Sequence, residues 1–209
     1  MSILNLAVFA SGRGSNCAAI HRAITENKLK AKICVIVSNQ PDAGVLDFAD
    51  KNAIPRFYIS SENFSSKDEF YKQLFLTLDM HQVQFIVLAG YMKKIGTPLI
   101  RKYPNRILNI HPALLPSFGG KGMYGMYVHE AVIKYGAKVS GITIHLVDEE
   151  YDHGAIVMQK CLEVSPDDTP ESLGKRIQQL EYDTYWQAIQ LFAENRVAIN
   201  NRKVIINNC

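Results

Sequence analysis

Short apolar runs alternate with amphipathic stretches along the first half of the chain. Residues 4–10, 33–37, 85–89 and 107–111 are nearly uninterrupted hydrophobic segments of strand length. Strands that read this way belong to sheets covered by helices on both faces. Between them the period lengthens. Ala18, Ala19, Ile20, Ala23 and Ile24 fall at helical spacing behind a Ser-Gly-Arg-Gly-Ser turn. Phe70, Leu74 and Leu78 recur every four residues behind Ser66-Lys67-Asp68-Glu69, a capping-box pattern. A short helix is predicted over 45–52 and a weaker strand over 56–59. This order of elements predicts an α/β fold, an open, mostly parallel twisted sheet (Rossmann-like) joined by right-handed crossovers.

After Pro116 the texture changes. Residues 117–127 mix Gly119, Gly120, Gly122 and Gly125 with aromatics and Met, and read either as a mobile loop beside a site or as a packed irregular turn. A helix over about 128–135 leads to residues 139–147. There Ile142, Ile144 and Leu146 alternate with Thr143, His145 and Val147, so one strand face carries a hydroxyl and an imidazole. Residues 155–163 form the last core strand. Thr169 as N-cap with Pro170 behind it opens a long helix to about residue 195, and 203–206 is a further strand candidate. No repeat or Pro/Gly-rich linker divides the chain, which predicts a single domain over 1–209 with halves meeting near 105/106.

The 209 residues are 47% hydrophobic and 21% charged, ordinary globular values. A net charge of +3 does not suggest nucleic acid as a partner, and the basic run Lys28 to Lys32 reads as a solvated helix end. No run approaches the ~18 apolar residues of a membrane span. The first residues lack a basic leader pattern, so a cytoplasmic location is expected, with no membrane partner. Cys17, Cys34, Cys161 and Cys209 show no paired spacing and are expected to be free thiols, with neither disulfide nor metal.

Three constellations carry candidate chemistry. Ser11-Gly12-Arg13-Gly14-Ser15-Asn16 joins a strand to a helix, and such a loop aims N–H groups and a helix dipole at an anion; a plain tight turn is the alternative. Asn109-Ile110-His111-Pro112 ends a strand with an amide and an imidazole on one side. That pair can bind an oxyanion and move a proton, unless the histidine is structural. Asp148-Glu149-Glu150-Tyr151-Asp152-His153-Gly154 is an acidic turn in which any carboxylate could hold a histidine charged, or in which all are solvated. His153 itself reads as a surface residue. His21, His81 and His129 read as structural histidines within helices.

The order Gly12-Arg13-Gly14-Ser15-Asn16, Leu88-Ala89-Gly90-Tyr91-Met92, Asn109-Ile110-His111-Pro112-Ala113-Leu114-Leu115-Pro116 and Asp152-x-Gly154 resembles the glycinamide ribonucleotide formyltransferases, a folate-dependent family. The resemblance runs from Leu4 to the helix of Trp186. It implies the formyltransferase fold and formyl transfer from 10-formyltetrahydrofolate to the amine of 5-phosphoribosylglycinamide, with no metal. By that resemblance Asn109, His111 and Asp152 are catalytic, with His111 protonated and Asp152 raising its pKa. Gly14, Ser15 and Asn16 hold the ribotide phosphate, while Gln178 and Glu181, on one helix face, reach its ribose side. Lys67, Met92, Lys93, Lys94, Ile95 and Asn109 flank the folate. The first half would then be phosphate-binding and the second catalytic and folate-binding, in a monomer or weak homodimer. Three departures stand out: the long 117–127 segment, Lys94 where an apolar residue is usual, and His153 where a small one is. The alternatives are a formyltransferase for another amine, expected to carry an extra C-terminal domain, and a folate hydrolase, expected to carry an N-terminal regulatory one. A nucleotide-binding module without chemistry would leave Asn109, His111 and Asp152 unexplained.

Overall fold

A computed structural model describes residues 3–207. The leader reading of Met1 and Ser2 and the free-thiol expectation for Cys209 lie outside the described residues. Two compact units divide at Leu108/Asn109. In the first, β1 (Leu4–Phe9), β2 (Ala31–Ser38), β3 (Arg56–Tyr58) and β4 (Phe85–Leu88) are parallel, in the order β3-β2-β1-β4. The central β1 explains its own composition. Leu6 is in register with Ile33 on one side and Phe85 on the other, and Val8 with Ile36 and Val87. Leu6, Ala7 and Val8 are fully buried, as a strand covered on both faces must be.

α1 (Ser15–Thr25), α2 (Gly44–Lys51), α3 (Lys67–Met80) and α4 (Thr97–Lys102) make the connections. The chain builds outward from β1 to β3 and then returns to the other side of β1 as β4. That reversal leaves a crevice beyond the carboxyl ends of β1 and β4, where doubly wound sheets bind ligands. α3 departs slightly from the expected capping box. Ser66 Oγ accepts the Glu69 N–H at 3.2 Å, but the Glu69 carboxylate takes the N–H of Ser65, not of Ser66. His81, expected inside this helix, is its C-cap and tilts against Phe57. α4 was not predicted: its six residues are too few to display a period.

β5 (Ile107–His111) belongs to both units. It starts beside β4, whose Ile86 N–H donates to the carbonyl of Arg106 at 2.8 Å, and it ends in the second unit. That unit adds α5 (Met126–Tyr135), β6 (Val139–Leu146), β7 (Ile156–Glu163), α6 (Pro170–Ala193), β8 (Val197–Asn200) and β9 (Lys203–Ile206). β6 and β7 are antiparallel, as the acidic turn between them requires, and β8 and β9 form a separate hairpin. Read through β5, the main sheet is β3-β2-β1-β4-β5-β6-β7, the mostly parallel α/β sheet that the apolar runs predict.

α6 starts where expected. Thr169 accepts the Ser172 N–H and Ser172 answers to the Thr169 N–H, a complete capping box. Its buried stripe, including Leu173, Ile177, Tyr185 and Ile189, keeps the helical period. Cys17, Cys34 and Cys161 are free thiols, and burial pushes Cys17 up to about 12. No helix among the described residues is long and apolar enough to cross a membrane.

One glycine fixes the loop after β1. Gly14, the N-cap of α1, has φ +80°, and a Cβ there would lie 2.6 Å from Val45 Cγ2. The N–H of Val45 also donates to the carbonyl of Gly12 at 3.1 Å, so α2 seats directly on this loop. Gly14→Ala should therefore destabilise the fold by about 2–4 kcal/mol, from the left-handed backbone and overpacking together. Urea unfolding measures this; a variant as stable as the parent would show that the loop and α2 yield freely.

Candidate active site

The carboxyl end of β5 presents Asn109 and His111 on the same side, separated by Ile110, which points into the core. The segment behind them is pinned by β6 and β7. Thr143 Oγ1 donates to the carbonyl of Ala113 at 2.7 Å and accepts the N–H of Leu115 at 2.9 Å. Gln159 Nε2 donates to that same hydroxyl and to the carbonyl of Leu115. The Leu115–Pro116 peptide is cis. Thr143 and His145, the polar face expected on β6, are both buried. A register shift between Ile144 and His145 marks a bulge, a device that re-aims the side chain after it.

His145 is tied on both nitrogens. Nδ1 donates to the carbonyl of Leu146 at 2.8 Å, and Nε2 accepts from Asn109 Nδ2 at 3.1 Å. The tautomer follows from these partners. One of the two Asn109 amide hydrogens is thus spent on orientation, which aims the other.

His111 is 3% exposed. Its Nε2 donates to the carbonyl of Phe118 at 2.8 Å, and its Nδ1 lies 3.6 Å from Asp152 Oδ2. The other carboxylate oxygen of Asp152 lies 3.7 Å from His145 Nε2, and Gly120 N–H donates to Oδ2 at 2.9 Å. Four side chains from β5, β6 and the β6–β7 turn therefore converge: Asn109, His111, His145 and Asp152. Of the acidic residues of that turn, Asp152 is the one set against both histidines. Asp148 instead accepts the N–H of Glu150 and pairs with His153, while Glu149 and Glu150 are exposed. Of the 117–127 segment, Phe118 and Gly120 contact His111 and Asp152 directly, while most of residues 121–127 are exposed.

The electrostatics correct one expectation. Burial is the largest influence on His111 and lowers its pKa. The charge of Asp152 and the Phe118 carbonyl pull it back up, His145 pushes it down again, and the net value lies below the ordinary 6.5. The ligand-free ring therefore takes a proton less readily than an ordinary histidine, where the resemblance implies a protonated one. Asp152 raises the His111 pKa as expected, but desolvation outweighs it. Burial also opposes ionisation of Asp152. The approach of His145, the charge of His111 and the Gly120 N–H overcome that and hold its pKa below the usual carboxylate range. His129, buried on α5, is likewise pushed down by burial and by His111.

The first unit holds the other candidate residues. Gly14 caps α1, whose first turn carries no acidic residue, and exposed Ser15 and buried Asn16 begin that helix. Ser11, the first residue of the glycine loop, to which sequence reasoning gave no role of its own, knits the crevice together. Its Oγ donates to Asn39 Oδ1 at 2.5 Å and accepts the Met92 N–H at 2.8 Å, while its own N–H donates to the carbonyl of Gly90 at 3.0 Å. The loop after β1 and the segment from Met92 to Ile95 are thereby brought together. Met92, Lys93 and Lys94 are exposed, Ile95 is buried, and Lys93 pairs with Glu62 at 3.0 Å. Lys67 is exposed at the first turn of α3. In the second unit, Gln178 and Glu181 are half-buried and three residues apart on α6, hence on one face. Among the described residues no cluster of three or more His, Cys, Asp or Glu could hold a metal ion.

The chain is similar to known proteins in sequence and fold. The formyl transferase family model matches residues 4–189. The chloroplastic phosphoribosylglycinamide formyltransferase of Arabidopsis thaliana is 42% identical over 193 residues, 92% of this chain and 66% of that protein. The phosphoribosylglycinamide formyltransferase of Bacillus subtilis is 38% identical over 94% of this chain and 96% of its own length. Glycinamide ribonucleotide transformylase 1 from Symbiobacterium toebii superposes with a TM-score of 0.91 at 34% identity, covering 99% of this chain and 95% of that one. The chain spans just under two thirds of the length of the plant relative and almost all of the bacterial one. With the family model matching most of its length, and the Bacillus subtilis protein more than 30% identical over nearly its whole extent, this chain belongs to the phosphoribosylglycinamide formyltransferase family of formyl transferases.

Proposed function

We propose that the protein transfers the formyl group of 10-formyltetrahydrofolate to the amine of 5-phosphoribosylglycinamide, a step of purine biosynthesis in the cytoplasm. The observation that carries this reading is the convergence of Asn109, His111, His145 and Asp152 at a buried strand end. The reaction needs oxyanion donors, and this cluster offers them. As the amine attacks the formyl carbon, the carbonyl oxygen gains negative charge. The free hydrogen of Asn109 Nδ2 and the Nε2–H of His111, which Phe118 accepts in the resting protein, are the donors for it. The amine loses one proton and N10 of the departing folate gains one. A bound water carries it between them, because Nε2 of His111 is committed as a donor to the oxyanion and Nδ1 faces Asp152. Asp152, ionised throughout, favours the charged form of His111 that best stabilises the oxyanion, and takes no proton itself.

Gly14, Ser15 and Asn16 are assigned to the ribotide phosphate, since a helix N-terminus without acidic residues suits an anion. Gln178 and Glu181 are assigned to its ribose side. Lys67, Met92, Lys93, Lys94, Ile95 and Asn109 are assigned to the folate. The partners are these two small molecules, in a monomer or weak homodimer.

The direct test is turnover of purified protein with 10-formyltetrahydrofolate and glycinamide ribonucleotide, followed by absorbance of the released folate. Activity only with another amine, or release of formate, would replace this reading. Asp152→Asn keeps shape and hydrogen-bonding capacity but removes the charge facing His111. Its kcat should fall by roughly 10²–10⁴ across pH 6 to 9, with both KM values little changed. A near-normal kcat would make Asp152 a turn residue only. Glu181→Ala should raise the ribotide KM by about tenfold and leave the folate KM alone; an unchanged ribotide KM would leave α6 purely structural at this position.

A further inference from the structure

The turn from residue 147 to 155 must hold Asp152 against two histidines while keeping that residue in an unfavourable conformation. Asp152 has φ +52°, in the left-handed region, and persists there only if its neighbours over-determine it. On one side Gly154 packs so tightly that a Cβ would collide with the carbonyl of Leu146. Asp148 organises the other end. Its Oδ1 accepts the Glu150 N–H at 2.9 Å, and its Oδ2 lies 2.7 Å from His153 Nδ1.

His153 is in turn gripped from far along the chain. Arg202 Nη2 donates to the His153 carbonyl at 2.6 Å, and Nη1 rests against the imidazole nitrogens at 2.5 and 3.1 Å. Arg202 sits at the tip of the β8–β9 hairpin, where Asn201 takes φ +54° to close the reversal. The base of the hairpin is fixed as well: Asn207 N–H donates to the Arg196 carbonyl, and Arg196 Nε donates back to the Asn207 carbonyl, both at 2.9 Å. Core burial does not explain this hairpin, because Ile205 is 51% exposed and β8 and β9 bury little. Beyond its packing of β9 against β7, its defined polar contact is the two-point hold on the residue next to Asp152.

We propose that the β8–β9 hairpin is a strap, and that Arg202 and His153 are positioning residues that set Asp152 through the 147–155 turn. The kinetic part of this rests on the formyl-transfer reading above; the strap itself does not. The contact of Asp148 with His153 is exposed and of little worth to global stability, so its effect is local and geometric.

The test uses the full chain with Arg202→Met, Arg202→Lys, His153→Gly and the Arg202→Met/His153→Gly double variant. Arg202→Met should lower kcat by about tenfold, because a small displacement of a catalytic group is expensive. Ribotide KM should stay within about twofold and the thermal midpoint within about 2 °C. Arg202→Lys should recover part of kcat, since an ammonium can make one of the two contacts. The double variant should lose less than the sum of the two single losses, because the ring contact is shared while the bond to the carbonyl of residue 153 survives His153→Gly. Amide exchange at residues 148–155 should quicken in Arg202→Met while core strands keep their protection. Additive losses in the double variant, or unchanged exchange in the turn, would overturn the strap. If the parent fails to turn over the ribotide, the functional reading falls and the exchange measurement alone decides the strap: faster exchange upholds it, unchanged exchange removes it.

Discussion

Burying an imidazole between two acceptors is the constraint around which the second unit is arranged. His111 has the Phe118 carbonyl on one nitrogen and the Asp152 carboxylate near the other, with almost no water contact. A neutral ring can donate to only one of them, whereas a charged ring satisfies both but must be desolvated. Desolvation wins at rest, and the carboxylate offsets part of it. The same balance shapes acid stability. The folded ring binds a proton less readily than the unfolded chain, so stability falls as pH drops through the ordinary histidine range. Asp152, whose folded pKa is depressed, adds a further loss at lower pH as its carboxylate protonates.

The rest of the unit serves to keep that geometry. Thr143 and Gln159 hold the chain after His111, the β6 bulge turns His145 onto Asn109, and Gly120 anchors the carboxylate that both histidines face. Buried polar groups in such a cluster are satisfied by one another, so moving one of them affects all. In the first unit Ser11 has a comparable role, joining the loop after β1 to the segment after β4 with a single hydroxyl.

Periodicity made much of this legible before the fold was seen. The apolar runs of β1, β2, β4 and β5 and the four-residue spacing in α3 announced a doubly wound sheet. Strand alternation put Asn109 and His111 on one side, and put His145 beside Thr143. What escaped was non-local or very short. α4 has too few residues to show a period, and β8, only four residues long, was not singled out. Gln159 gave no signal, because its hydrogen bonds go to residues on other strands. The choice of Asp152 among the acidic residues of its turn rested on family resemblance and became geometric only with its left-handed backbone in view. The desolvation of His111 escaped for a related reason: a sequence shows the neighbouring carboxylate but not the depth of burial. Arg202 reaches His153 across 49 residues of chain, beyond any local pattern.

The central claim is that burial lowers the affinity of His111 for a proton and that Asp152 offsets part of the effect. Nitrogen-15 NMR of the His111 ring across pH, in the ligand-free protein and in Asp152→Asn, measures it directly. The account predicts a parent midpoint below the ordinary 6.5 and a lower one still in the variant. A parent midpoint at or above 6.5, or one that Asp152→Asn leaves in place, would contradict it.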